Sequence, residues 1–440
     1  MFRQLSSTAL PGAASGLGVM SLCSTPLHTA RCHASTAYFA AVPRAPPDAI
    51  MGIAADFAKD TNPNKVNLCI GVFRDEHNKP YILKSVRTAM VTVAERDMQM
   101  DYAPIAGLPS FVNSMQALCF GKSVMDVQGD RIASAQTLSG TGALHLGLEL
   151  LQRYADSTRP FTVHISSPSY TNHYNILQHL KINYQHYPYY NMQTHRLDID
   201  AMLNYFRQLP PQSVVLLHAC AHNPTGCDPT PDEWEKIIDV VRRGDLIPFI
   251  DMAYQGFATG DLERDAYAVR AVNRHDVPTY LVSQSLAKSF GLYGQRTGAL
   301  HIRCTTQKEK ANVLTQLQST ARATYSNPPI FGARVADEVL RTPHLREQWK
   351  TELLEMAQRL EGARHRLVAQ LRACGSTRDW EFLEKGVGMM SLTGLTEAQV
   401  IRLQEKYSVY LNHNGRLAFS GLNIENVAYT AQAIHDIVSH

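Results

Sequence analysis

The sequence predicts an α/β protein, with a large domain built on a doubly wound, mostly parallel sheet and a smaller α/β domain made from both termini. The 440 residues exceed a typical single domain of about 100–200 residues. From about residue 45, short apolar runs alternate with segments of helical periodicity, which is the pattern of a parallel sheet with crossover helices. From about residue 345 this alternation gives way to a long amphipathic helix and short elements.

Short apolar runs bounded by polar, Gly or Pro residues predict buried parallel strands. These runs are 161–166, 214–218, 247–250, 280–283 and 298–302. Amphipathic helices are expected between them, and in residues 144–154 three leucines fall on one face. We therefore assign residues 76–342 to the large domain.

The smaller domain is expected to combine residues 33–75, as an N-terminal arm and first part, with residues 343–440. Residues 347–371 form one long amphipathic pattern. A closing helix is predicted from the apolar stripe of Ile424, Val427, Ala431, Ile434 and Val438.

Composition excludes several classes of protein. The 42 basic and 39 acidic side chains give a net charge of +3 at pH 7 without long charge runs, so no nucleic-acid partner is expected. No stretch of about 18 uncharged apolar residues predicts a membrane span. The eight cysteines contain no C-x-x-C pair, which argues against a zinc or dithiol motif. Cys220, His222, Cys227 and Asp228 can be imagined as metal ligands, but buried thiols in a reducing compartment are the favoured interpretation, and no metal is predicted.

The first 47 residues contain no Asp or Glu but do contain Arg3, Arg31, Arg44 and many serines. This composition is typical of an organellar transit peptide. We therefore predict that residues 1–32 are removed and that the protein is located in the mitochondrial matrix. The alternative is an N-terminal tail that carries no targeting signal.

Polar and ionisable residues follow four of the predicted strands, in the loops 167–173, 219–226, 251–257 and 284–296. Because ligands of open α/β sheets bind at the carboxyl ends of the strands, these loops predict one site. Before a predicted helix, Ser139, Gly140 and Thr141 offer backbone N–H groups for a phosphate, or form an ordinary helix cap.

Single residues in these loops also have a chemical interpretation. Lys288 follows an apolar strand, where desolvation makes an amine nucleophilic, although most lysines lie at the surface. Arg296 can neutralise a phosphate. Asp251 is either a capping carboxylate or the partner of a protonated ring nitrogen, and residues 223–226 can form a simple turn.

Residues 285–296, Ser-Leu-Ala-Lys-Ser-Phe-Gly-Leu-Tyr-Gly-Gln-Arg, resemble the lysine motif of the class I pyridoxal-phosphate aminotransferases, most closely the aspartate aminotransferases. Further similar segments occur in order from about residue 46 to the C-terminus. They are 66–71, 101–108, 138–144, 223–226, 251–254, 325–334 and 415–416. The resemblance implies the fold of a fold type I pyridoxal-phosphate-dependent transferase.

The resemblance also implies roles around pyridoxal 5′-phosphate, which supplies the electron sink. Lys288 would attach to the cofactor and move the substrate proton, and Asp251, supported by His173, would keep the ring nitrogen protonated. Asn223 and Tyr254 would bind the ring oxygen, and Tyr170 would stack on the ring. The implied phosphate contacts are Ser139, Gly140, Thr141, Ser285, Arg296 and, from a second subunit, Tyr102.

The implied substrates are dicarboxylic amino and keto acids. Arg416 would bind the α-carboxylate in a bidentate manner, and Arg322 would reach the distal carboxylate from the neighbouring subunit of a homodimer. Gly71, together with Tyr170 and Asn223, would contact the substrate. The implied reaction is ping-pong transfer of the amino group from L-aspartate to 2-oxoglutarate, giving oxaloacetate and L-glutamate.

Three residues depart from the family pattern: Tyr170 replaces an indole, Cys69 replaces a glycine, and Phe73 replaces a tyrosine. Tyrosine can still stack and donate a hydrogen bond. The changes at 69 and 73 concern closure over the substrate. A broader enzyme that accepts aromatic amino acids is the first alternative. The second is a catalytically inactive binding protein on the same fold.

Overall fold

The computed structural model describes residues 37–45, 49–96 and 100–439. The chain divides into two compact units at Pro46 and Pro47. In the first unit, residues 38–41 form a turn, and the side chains of residues 37–45 are exposed. The second unit contains every helix and strand described below. The predicted transit segment, residues 1–32, lies outside the described residues.

The helices of the described part are α1 (Ala49–Lys59), α2 (Lys84–Glu95), α3 (Pro109–Phe120), α4 (Lys122–Gln128), α5 (Ser139–Arg153), α6 (Thr171–His179), α7 (Ile199–Arg207), α8 (Pro231–Arg243), α9 (Leu262–Asp265), α10 (Tyr267–Arg274), α11 (Gln307–Thr324), α12 (Phe331–Arg341), α13 (Pro343–Ala373), α14 (Glu381–Lys385), α15 (Glu397–Tyr407) and α16 (Val427–Ser439). Its strands are β1 (Val66–Asn67), β2 (Ile132–Leu138), β3 (Thr162–Ser167), β4 (Asn183–Pro188), β5 (Tyr190–Asn191), β6 (Arg196–Leu197), β7 (Val214–His218), β8 (Ile247–Met252), β9 (Tyr280–Ser285), β10 (Thr297–Arg303), β11 (Met390–Leu392), β12 (Val409–Tyr410) and β13 (Arg416–Ala418). None of these helices is long and apolar enough to cross a membrane.

A seven-stranded sheet organises the large part of the second unit, in the order β2-β10-β9-β8-β7-β3-β4. Strands β9, β8, β7, β3 and β4 run parallel to one another, which confirms the predicted mostly parallel sheet. The prediction of a parallel strand at 298–302 is wrong, because β10 runs antiparallel to both β2 and β9. An apolar run indicates that a strand is buried, but it does not indicate whether the strand is parallel or antiparallel to its neighbours.

The sheet is covered on both faces, as a doubly wound sheet requires. Neighbouring residues of β8 point to opposite faces, so Phe249 belongs to one buried cluster and Ile250 to another. Helix α5 packs on the Phe249 face, where a Cβ on Gly147 would come within 2.6 Å of the Phe249 ring. Glycine at 147 therefore lets this helix lie close to the strand.

Segments from both ends of the chain pair with each other. β1 pairs in parallel with β12. Within the C-terminal part, β11 pairs antiparallel with β13. α13 confirms the predicted long helix. α16 confirms the closing helix but begins at Val427, and Ile424 lies before it with 68% of its surface exposed, so its place in the apolar stripe is wrong. The predicted domain boundaries at 75 and 342 stay a prediction.

Candidate active site

The register of three parallel strands brings polar residues together at one edge of the sheet. His218 of β7 is paired with Asp251 of β8, and Asp251 is paired with Ser283 of β9. All three side chains are buried. The polar cluster therefore lies at the carboxyl ends of the central strands, where the sequence predicted a site.

Asp251 is held by a histidine from α6. His173 Nε2 lies 3.0 Å from Asp251 Oδ2, and the two side chains are 0% and 9% exposed. Burial alone would raise the pKa of the Asp251 carboxyl, but the hydrogen bond and charge of His173 outweigh it and hold this pKa below its usual value. Asp251 is therefore a carboxylate in a desolvated place.

Behind His173 lies a chain of buried polar groups. His173 Nδ1 is 2.9 Å from Ser169 Oγ, which in turn lies 3.4 Å from His218 Nε2. The ring of His222 is 4.2 Å from that of His218. Burial, with the charge of His173 as a smaller cause, lowers the pKa of His218 to about 3. His218 is therefore neutral and acts as an uncharged partner in the chain.

Lys288 is half-buried just after β9. Its Nζ lies 5.4 Å from the centre of the Tyr254 ring. Burial lowers the pKa of the Lys288 ammonium below its usual value, and Asp251 opposes this change. The positive charges of Arg296 and Arg416 lower this pKa further. The amine therefore gives up its proton more readily than that of a surface lysine, as a nucleophile requires.

The first turn of α5 faces the end of β9. Leu138 precedes the helix and no side chain caps it, so the N–H groups of the first turn have no partner within the helix. Ser139 Oγ lies 2.8 Å from Ser285 Oγ. A Cβ on Gly140 would come within 3.3 Å of Ser285 and 3.9 Å of Asp251 Oδ1. The backbone thus approaches both residues closely, and the alternative of an ordinary Ser/Thr cap is wrong for this helix.

Arg416 at the start of β13 is buried and donates to two loops of the site. Its Nη1 donates to Asn223 Oδ1 at 3.3 Å, and its Nη2 donates to the carbonyl oxygen of Cys69 at 2.7 Å. Tyr254 is also buried, and burial raises the pKa of its phenol well above the usual value. The site therefore contains a cation in contact with an amide, and a neutral phenol ring beside Lys288.

Gly71 lies against β11, where an added Cβ would come within 2.6 Å of the methyl group of Met390. The backbone N–H of Phe73 donates to the hydroxyl of Tyr293 at 2.9 Å. Burial raises the pKa of the Cys69 thiol to about 11, so this group stays protonated. These contacts link residues 69–73 to the elements that carry Lys288 and Arg416.

Four predicted site residues are exposed in this chain. Tyr102 is 89% exposed, and Arg322, Arg296 and Thr141 are also exposed. Arg322 donates to Ser326 Oγ and Arg296 donates to the Tyr293 carbonyl oxygen at 3.1 Å. The predicted roles of Tyr102 and Arg322 across a subunit boundary stay predictions.

Tyr170 is half-buried at the N-cap of α6, with its ring edge-on to His173 at 5.4 Å. Asp228, one of the residues considered as metal ligands, accepts from the backbone N–H of Ala221 and of His222, at 2.6 and 2.8 Å. In the part of the chain that the structure describes, no group of three or more His, Cys, Asp or Glu is placed to hold a metal ion.

Sequence reasoning placed Ser169 in a loop of the site without giving it a role, and it missed His218 and the carbonyl oxygen of Cys69. His218 carried a signal, because it ends a predicted strand next to the strand of Asp251. A backbone carbonyl carries no such signal, since every residue has one.

Comparison with known proteins gives consistent findings. Residues 63–434 match the family model "Aminotransferase class I and II". The chain is 39% identical over 416 residues to the mitochondrial aspartate aminotransferase of Gallus gallus, covering 94% of this chain and 98% of that protein.

Solved structures are also similar. The structure of a mitochondrial aspartate aminotransferase from Trypanosoma brucei is 45% identical with a TM-score of 0.84, covering 88% of this chain and 99% of that one. The aromatic-amino-acid aminotransferase of Burkholderia pseudomallei, covalently bound to pyridoxal phosphate, is 39% identical with a TM-score of 0.87. That match covers 91% of this chain and 99% of the other.

Proposed function

The chain belongs to the class I and II aminotransferase family, and from this premise we propose that it is an aspartate aminotransferase. The reaction is the reversible, ping-pong transfer of the amino group of L-aspartate to 2-oxoglutarate. The observation that carries the proposal is the placement of Lys288, the buried Asp251–His173 pair and the buried Arg416 around one edge of the sheet.

The residues at this edge fit pyridoxal 5′-phosphate, the cofactor of the family. Three groups suit a phosphate: the uncapped N–H groups at the first turn of α5, the adjoining hydroxyls of Ser139 and Ser285, and the exposed Arg296. Asp251 suits a protonated ring nitrogen, because it is ionised and buried. Asn223 and Tyr254 suit the ring oxygen, and Thr141 and Tyr170 lie at the border of the same region.

The bound cofactor would supply an electron sink for the bond to the substrate's α-carbon. Lys288 would supply the amine that attaches the cofactor and, once released, the base that carries the α-proton. Its lowered pKa places more of the amine in the unprotonated form. Asp251 would hold a proton on the ring nitrogen, and His173 keeps Asp251 in place through the bond at 3.0 Å.

Arg416 would bind the α-carboxylate, and Asn223 and Tyr170 would border the same ligand. Gly71, which has no side chain, would let the segment at 69–73 cover the substrate against Met390. Arg322 would bind the distal carboxylate from the neighbouring subunit, since this arginine is exposed in the single chain.

The experiment is an absorption spectrum of the purified protein with pyridoxal phosphate, before and after addition of L-aspartate. We expect a band from the lysine-bound cofactor, and its conversion by L-aspartate to the band of the aminated cofactor. The same test with Lys288→Ala should show neither the first band nor its conversion. Absence of the first band in the wild-type protein would favour the inactive binding protein.

A second candidate is an enzyme that also accepts aromatic amino acids. It is favoured by Tyr170, which stands in place of the indole usual in the family, and by the similarity to an aromatic-amino-acid aminotransferase. The two candidates differ in the ratio of turnover on L-tyrosine to that on L-aspartate. A band that L-tyrosine converts and L-aspartate does not would overturn the aspartate assignment.

We also propose a homodimer with shared sites, to which Tyr102 and Arg322 cross from the partner. Mixing Lys288→Ala with Arg322→Ala subunits tests it. If half of the dimers are mixed and each mixed dimer has one complete site, about a quarter of the wild-type activity returns. No recovery after proven subunit exchange would mean that Arg322 serves its own chain.

The proposed location is the mitochondrial matrix, with residues 1–32 as the removed targeting segment. The composition of that segment and the mitochondrial relatives support it. Import into isolated mitochondria tests the proposal. The full chain should enter and be shortened, whereas a chain lacking residues 1–32 should stay outside.

A further inference from the structure

The guanidinium of Arg416 is held along one edge by a side chain with no role assigned so far. Asn412 lies four residues before Arg416 and is also buried, with 9% of its surface exposed. Its amide oxygen accepts from Arg416 Nε at 2.8 Å and from Nη2 at 2.7 Å. One neutral side chain thus contacts two nitrogens of the planar fork.

The orientation of this amide follows from its surroundings. A guanidinium offers only donors, so the amide oxygen of Asn412 faces Arg416, and the amide nitrogen then faces acceptors on its other side. Neither end of the amide can turn without losing its partners. The burial of Asn412 keeps water from replacing them.

The backbone fixes the same pair of residues. Asn412 N–H donates to the Arg416 carbonyl oxygen at 3.2 Å, and Gly415 N–H donates to the Asn412 carbonyl oxygen at 2.8 Å. The turn between β12 and β13 needs a positive φ of 77° at Gly415, which glycine adopts without strain. Asn412 and Arg416 therefore lie at the two ends of one tight turn.

Some of the five N–H groups of Arg416 donate to protein acceptors, and the others are left for a ligand. Asn412 takes Nε and one hydrogen of Nη2, and the Cys69 carbonyl oxygen takes the other. The bond from Nη1 to Asn223, at 3.3 Å, is the longest of the set. The Nε–Nη2 edge is therefore occupied, which leaves Nη1 to meet a carboxylate, and the expected bidentate contact would require the carboxylate to replace the Cys69 carbonyl oxygen at Nη2.

We propose that Asn412 is a positioning residue that holds the Nε–Nη2 edge of Arg416 and so presents Nη1 to the α-carboxylate of the substrate. This role rests on the proposed function of Arg416. A neutral amide suits it better than a carboxylate, because Asp at this position would compete with the substrate for the positive charge. Since the α-carboxylate is common to all amino and keto acids, Asn412 should affect every substrate equally.

The test uses the protein with pyridoxal phosphate bound and three variants. Asn412→Leu removes the acceptor at nearly constant size, and Asn412→Asp keeps the acceptor but adds a negative charge. The matched control is Asn414→Ala in the same turn, because the Asn414 side chain accepts from the backbone N–H of Arg416, at 3.1 Å, rather than from its guanidinium. L-Aspartate and L-phenylalanine are titrated in single-turnover absorbance experiments, which separate the dissociation constant from the limiting rate.

We expect Asn412→Leu to raise the dissociation constants of both amino acids about tenfold, as loss of a hydrogen bond to a charged group does. The limiting rate should stay within about threefold, because the groups around Lys288 are unchanged. Asn412→Asp should also weaken binding of both, and its melting temperature and cofactor band should equal those of the wild type. Asn414→Ala should leave both dissociation constants unchanged.

Unchanged dissociation constants in Asn412→Leu would overturn the positioning role. If that variant does not fold, Asn412→Asp decides, and normal binding of both amino acids to it overturns the role. A loss confined to L-aspartate also overturns it, since a contact to the distal carboxylate would be at fault. A wild-type protein that reacts with neither amino acid would instead refute the proposed function, and the role of Asn412 with it.

Discussion

Replacing Asp251 with Asn tests whether this buried carboxylate serves the cofactor or only the fold. Asp251 Oδ2 lies 3.0 Å from His173 Nε2 in a place closed to solvent. Asn keeps the size and one acceptor but removes the charge. A hydrogen bond to a charged group contributes about 1.5–3 kcal/mol and a neutral one about 0.5–1.5 kcal/mol. The free energy of unfolding should therefore fall by only about 1–1.5 kcal/mol.

The expected effect on the reaction is much larger. If Asp251 pairs with a protonated ring nitrogen, removal of its charge breaks a buried ion pair, which costs about 3–5 kcal/mol. Such a loss in the transition state slows the reaction by about a hundredfold to several thousandfold. The assay is the rate of amino-group transfer from saturating L-aspartate with the cofactor bound, beside urea unfolding of the same variant.

Asp265→Asn is the matched control. Asp265 is equally buried and accepts from Ala258 N–H and from the backbone and hydroxyl of Thr259, but it lies outside the proposed site. Its variant should lose stability and keep the rate. If Asp251→Asn loses stability in the expected range and keeps its rate within about threefold, the carboxylate is structural and the assigned role is wrong.

Three further predictions address substrate, acid–base behaviour and packing. Arg322→Ala should raise the Michaelis constants of L-aspartate and 2-oxoglutarate by at least about tenfold and leave that of L-phenylalanine unchanged; unchanged activity on L-aspartate would refute the dicarboxylate assignment. Because burial lowers the pKa of Lys288, the rate at which the cofactor-free protein takes up pyridoxal phosphate should rise with pH through a midpoint below 10.5, the usual lysine value. Asp251→Asn should move that midpoint down and Arg416→Leu should move it up; a wild-type midpoint at or above 10.5 would contradict the reasoning. Gly147→Ala should lower the free energy of unfolding by about 1–3 kcal/mol, because its Cβ would come within 2.6 Å of the Phe249 ring. The control is Gly362→Ala, whose Cβ would meet the flexible end of the Arg366 side chain. In urea unfolding, this control should be neutral or stabilising.

The strands that the sequence predicted share one property, which is a short run of mostly apolar residues. β2 escaped prediction because Ile132–Leu138 contains Ser134, Gln136 and Thr137, which are buried yet polar. Their partners are distant in sequence: Ser134 Oγ lies 2.7 Å from His301 Nδ1 on β10, and Gln136 donates to the Pro329 carbonyl oxygen. Only the tertiary structure shows that these polar groups are satisfied. β4 is an edge strand with several exposed residues, so it lacks the apolar run for a different reason.

The same distinction separates the residues of the candidate site that could be predicted from those that could not. Asp251, Asn223 and Lys288 could be predicted because each comes after a predicted apolar run, and the parallel strands bring the ends of these runs to one edge of the sheet. The Asn412 amide and the Cys69 carbonyl oxygen could not be predicted in this way. Both reach Arg416 through the pairing of β1 with β12 and the turn before β13, and short strands of two or three residues leave no periodic signal.

The uneven burial of the proposed site residues argues that one chain does not complete the site. Asp251, Asn223 and Arg416 are buried, whereas Tyr102 is 89% exposed beside Met100, which is 81% exposed. Tyr, Met and Arg are the residues enriched at protein interfaces, and Arg322 is exposed as well. In the proposed dimer, the α-carboxylate is bound by a cation of the same chain and the distal carboxylate by a cation of the other. Dimerisation and the preference for dicarboxylates are then coupled, because the subunit contact that covers Tyr102 also brings Arg322 to the site.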